Sequence, residues 1–124
     1  IMKKPETGLL YGHIAFSVLT SFLCVFYAVS VTLNDIASDW QKTFAYVVGG
    51  YGLMNVYILS AAWNARPSWA PKADLLIGGC FFAILVFDTL NDGFSRGLAG
   101  TAVPAFVGLA LWINWNAVKK VCER

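Results

Sequence analysis

Asp88, Thr89, Asn91 and Asp92 close the stretch Leu75–Phe94, whose first half carries no charge. A carboxylate held at mid-bilayer costs roughly 2.5–3.5 kcal/mol on insertion scales, so intramembrane acids tend to mark ion or solute sites. Asp88 lies near the end of its apolar run, where that cost falls. Its residue type and place therefore fit two roles: a solvated helix-end carboxylate, or a cation or proton site at the mouth of a bundle, with Thr89 and Asn91 beside it. Asp92 follows one helical turn later and Arg96 one turn after that, in the favourable acid-before-base order. An Arg96 that neutralised Asp92 would weaken a metal site there. Asp35 and Asp39, also four apart, add two acids. Together these carboxylates could hold a hard cation, but they lack the glycine-punctuated spacing of a calcium loop.

Asn55 sits near the middle of another apolar run. An amide in lipid needs a partner, so it is expected either to bond another helix or to line a central cavity. His13 is the one histidine. A single chain cannot offer two histidines to a haem, although a symmetric dimer could; haem or quinone ligation ranks below a hydrogen bond to a neighbouring hydroxyl or carbonyl. Cys24, Cys80 and Cys122 form no C-x-x-C pair and are odd in number, so neither a disulfide framework nor a zinc site is indicated. The chain has no G-x-S-x-G, H-E-x-x-H or Walker loop. These residues single out no metal and no cofactor, and a catalytic reading would rest on Asp88 or His13 alone.

The elements that position these groups follow from hydropathy. Of 124 residues 58% are hydrophobic and 13% charged, against roughly 25% charged in a soluble domain. Four apolar runs stand out, at residues 9–33, 43–63, 73–90 and 98–118. About 20 residues cross a bilayer, so each can span as a helix; none alternates as a barrel strand would. Arg66-Pro67 and Ala70-Pro71 are expected to push the chain out of helix between the second and third runs. Pro104 falls inside the fourth. Short loops make successive helices antiparallel neighbours. The expectation is an all-α, integral membrane four-helix bundle, up-down-up-down, as one domain. Close approach of helices is expected at Gly8/Gly12, Gly79/Ala83 and Pro104/Gly108, which have small-x-x-x-small spacing.

Lys3, Lys4, Arg66, Lys72, Lys119, Lys120 and Arg124 fall on the side of the termini, and only Lys42 and Arg96 on the other. The positive-inside bias puts both termini in the cytoplasm, here of a bacterial inner membrane. Asp35, Asp39, Asp88 and Asp92 then form an acidic outer mouth. Thr-Leu-Asn-Asp recurs at 32–35 and 89–92, and Trp-Asn-Ala at 63–65 and 115–117. This echo suggests a tandem duplication of a helical hairpin, as in transporters.

A net charge of +2 without a basic stripe argues against nucleic acid. The expected partners are the lipid bilayer and either further copies of the chain or a larger membrane complex. The leading functional expectation is a non-enzymatic bundle that handles a small solute or cation through the acidic mouth. The alternatives are an accessory or scaffold subunit and, less favoured, a redox or lipid-modifying protein.

Overall fold

A computed structural model describes residues 4–91 and 98–123, with side chains over 8–90 and 102–123. Among these the chain is all helix: α1 (Lys4–Thr32), α2 (Asp39–Ala65), α3 (Trp69–Asn91) and α4 (Leu98–Glu123). Helices α1, α2 and α3 are each long and apolar enough to cross a bilayer. The molecule is a membrane-embedded helical bundle. With no water in the bilayer core, each backbone donor must find its acceptor inside its own helix, so glycines and β-branched residues that would weaken a soluble helix are carried here.

Local chemistry sets the helix ends. Ser38 caps α2: its hydroxyl accepts from the Gln41 N–H at 3.1 Å, and its own N–H donates to Gln41 Oε1 at 2.8 Å. This capping box satisfies two donors that the first turn leaves over. Helix α2 ends where Arg66 turns left-handed (φ 50°, ψ 47°) and its N–H returns to the Ala62 carbonyl at 3.1 Å. Pro67 follows and cannot continue the helix. The expected break runs shorter than the prolines suggested, because α3 already begins at Trp69. Pro71 sits in its first turn, where a missing N–H has no bond to lose. Helix α4 runs through Pro104 without interruption.

Helix α1 packs on α2 and α4, α3 packs on α4 and α2, and α2 meets α4 across the centre; the α1 and α3 backbones do not approach. The packing differs between the two ends. At the end bearing the termini, Leu10, Ile58, Leu59, Ala62, Ala117, Val118 and Val121 form a dry core. Alanines at the crossings let the helices close there. Toward the opposite, distal end, the buried cluster is Val48, Tyr51, Phe81 and Leu85, and the helices stand around a cavity.

The close approach of α1 and α2 rests on Gly49 and Gly52. A Cβ on Gly49 would lie 2.6 Å from Ala28 Cβ, and one on Gly52 would lie 2.8 Å from the Ser21 carbonyl oxygen. Of the pairs expected from spacing, Gly8, Gly12 and Gly79 meet nothing within 4 Å, and Gly108 meets the Phe82 ring at 3.4 Å. Small-residue spacing marks a face that can be approached closely. Which such face is used depends on how the helices are arranged.

Candidate functional site

A buried polar seam crosses the bundle. Asn55 on α2 is fully buried and donates from Nδ2 to Ser17 Oγ at 2.8 Å and Ser21 Oγ at 2.9 Å on α1. Ser21 in turn donates to the Ser17 carbonyl at 2.9 Å. One turn before Asn55, Tyr51 is buried, and its hydroxyl accepts from Asn114 Nδ2 of α4 at 3.0 Å. Its ring lies over Gly78 of α3. One turn from Gly78 is Asp74, 1% exposed, within electrostatic reach of Tyr51. The seam thus joins all four helices, with Tyr51 at its centre.

Above Tyr51 the four helices enclose a cavity of about 660 Å³. Its walls include Tyr27, Trp40, Phe44, Tyr51 and Phe81, and Asp88 stands at its distal rim. The rings are fixed by edge and tilted contacts: Tyr51–Phe81 at 5.2 Å between centroids, Phe44–Phe81 at 6.3 Å and Trp40–Phe44 at 6.5 Å. Trp40 Nε1 donates to Asp88 Oδ1 at 2.8 Å. This bond is made because α2 starts at Asp39, which brings Trp40 into the first turn facing α3. One carboxylate oxygen thereby acquires an indole donor while the group stays half-buried against aromatic faces. Such a wall offers both a negative charge and π-faces, a chemistry that suits a cation with an apolar body.

The structure distributes the other residues expected at a site. Thr89 is buried and donates to the Leu85 carbonyl of its own helix at 2.9 Å, so its hydroxyl is taken up locally. Asn91 is the last helical residue of α3. Asp92 and Arg96 lie outside the described residues. Asp35 is exposed in the α1–α2 loop, and Asp39 is exposed in the first turn of α2, where a negative charge favours the helix dipole. Neither lines the cavity. Asn55 bonds α1 and lies one turn below the cavity floor. His13 Nδ1 donates to the Leu9 carbonyl at 2.8 Å within α1. Among the described residues no three His, Cys, Asp or Glu side chains converge as a metal centre.

Sequence reasoning passed over Asp74 and Asn114. Asp74 is an acid one residue inside the third apolar run, which was signal enough to single it out. Asn114 stands between Trp112 and Trp115 inside the fourth apolar run, the same polar-in-apolar signal that marked Asn55. No family model, curated protein or solved structure matches the chain.

Proposed function

We propose that the protein is a non-enzymatic membrane carrier for a small organic cation, taken up from the distal side into the cavity beneath Asp88. The observation that carries this reading is the Asp88 carboxylate, oriented by the Trp40 indole, on the rim of a 660 Å³ aromatic-walled cavity reached by all four helices. In this reading α4 is a fourth span, both termini lie in the cytoplasm of a bacterial inner membrane, and the distal mouth faces outward. The dry core at the other end closes the far side, as one state of an alternating-access bundle requires. The two hairpins, α1–α2 and α3–α4, have equivalent neighbours about the α2–α4 contact, which supports their origin by duplication. Assembly into a homo-oligomer would cover the apolar groove of about 440 Å³ that Val29, Leu33, Tyr46 and Leu53 line between α1 and α2. That groove is also what an accessory-subunit reading would use.

The test is titration of the detergent-solubilised protein with benzyltrimethylammonium, followed by tryptophan fluorescence. A charge-assisted contact contributes about 1.5–3 kcal/mol, so Asp88→Asn should weaken binding about 10- to 100-fold and Asp39→Asn should leave it unchanged. Equal effects of the two substitutions would mean a diffuse surface field and would remove the site. Equal affinity for the neutral analogue neopentylbenzene would remove the cation.

A further inference from the structure

Asp74 is the most buried acid among the described side chains, and neither of its carboxylate oxygens has a hydrogen-bond partner. Among the described residues, the other buried side-chain atoms without a partner are Asn55 Oδ1 and Asn114 Oδ1. All of these are acceptor oxygens, while the amide nitrogens of both asparagines are engaged. Buried oxygens that lack a donor are the hard ligand type that a cation would satisfy. A lone ionised carboxylate in such surroundings is too costly to persist without compensation.

We propose that Asp74, the Asn114 side-chain carbonyl and the Tyr51 hydroxyl form an internal site for a monovalent metal cation, of which sodium is the representative. Tyr51 ties the three together: it takes the Asn114 amide proton at 3.0 Å, which turns Asn114 Oδ1 away from that bond, and it lies across Gly78 from α3, one turn from Asp74. The donors are hard oxygens from α2, α3 and α4, the ligand type that hard cations select. One carboxylate balances one positive charge, so a monovalent ion leaves the site neutral in lipid and a divalent ion does not. Asp74 also lines a second cavity of about 370 Å³ between α3 and α4, with Gly78, Gly79, Gly108 and Phe82. Glycines on both helices leave room there. Asp88 is not among these ligands, and Tyr51 stands between this site and the distal cavity that it floors.

The experiment uses the full chain in detergent, exchanged into choline chloride. Thermal unfolding is followed as sodium chloride replaces choline at constant ionic strength, and radioactive sodium binding is measured by equilibrium dialysis. The expected result is a saturable rise in Tm with sodium, one sodium bound per chain, and a smaller response to calcium. Asp74→Asn should abolish both sodium binding and the sodium-dependent rise, and Asn114→Ala should weaken binding at least tenfold. Asp88→Asn should leave both intact. No sodium binding by the wild-type chain overturns the proposal even if Asp74→Asn fails to fold. So does a sodium response that survives Asp74→Asn, or stabilisation by acidification with none by sodium, which would make Asp74 a proton site only.

Discussion

Gly50 and Gly52 stand two residues apart on α2, and alanine should affect them in opposite directions. A Cβ at Gly50 meets nothing within 4 Å. Alanine there gains helix propensity, up to about 1 kcal/mol. At Gly52 the same atom would lie 2.8 Å from the Ser21 carbonyl oxygen and 2.9 Å from Cys24 Cβ. Ordinary carbon contacts fall at roughly 3.5–4.0 Å, so α1 must retreat by about 0.7–1 Å. Overpacking of this kind costs roughly 1–3 kcal/mol. The retreat also stretches the bonds from Asn55 to Ser17 and Ser21, now 2.8 and 2.9 Å, each contributing about 0.6 kcal/mol in a membrane bundle. Against the same propensity gain, Gly52→Ala should lose about 1–3 kcal/mol net. The assay is equilibrium unfolding in mixed detergent micelles, followed by tryptophan fluorescence, with both variants run beside the wild type. Equal stability of the two variants would refute the claim that the α1–α2 contact is set by backbone approach at Gly52.

Asn55→Ala removes two interhelical bonds but leaves Ser21 bonded to the Ser17 carbonyl, so it should cost about 1–2 kcal/mol while benzyltrimethylammonium affinity stays within about twofold; a large affinity loss would place Asn55 in the solute path. Tyr51→Phe leaves the Asn114 amide unpartnered and should lower stability by about 1–3 kcal/mol in the same unfolding assay, whereas Tyr27→Phe, on an exposed tyrosine, should be neutral. Ser38→Ala dismantles the α2 capping box and should cost about 0.5–2 kcal/mol, read as a lower Tm. Burial, with Glu123 adding and Arg66 opposing, holds the Cys122 thiol above its usual range. In a variant keeping only that cysteine, alkylation should therefore go on accelerating beyond about pH 8.5, where an ordinary thiol begins to level off. An impermeant maleimide should label it in opened cells and not in intact ones.

Apolar runs of bilayer length, set apart by polar loops, determined by themselves that this chain is a helical membrane bundle. A helix satisfies its backbone within such a run, and a closed barrel, the other arrangement that does so in lipid, would alternate polar and apolar residues, which these runs do not. The sequence also marked Asp88 as a residue of interest and Asn55 as an amide in need of a partner, because both are costly where they stand. Only the tertiary structure decided what each does. Asp88 reaches Trp40, which lies 48 positions away along the chain, and Asn55 spends its donors on α1. Gly52 makes the close approach that spacing assigned to Gly8 and Gly12, since a helix face that could be approached is indistinguishable in sequence from one that is. Asp74 and Asn114 become neighbours of Tyr51 through the order in which the helices pack. That order depends on the sum of many weak side-chain contacts across the bundle, and no local pattern in the chain records it.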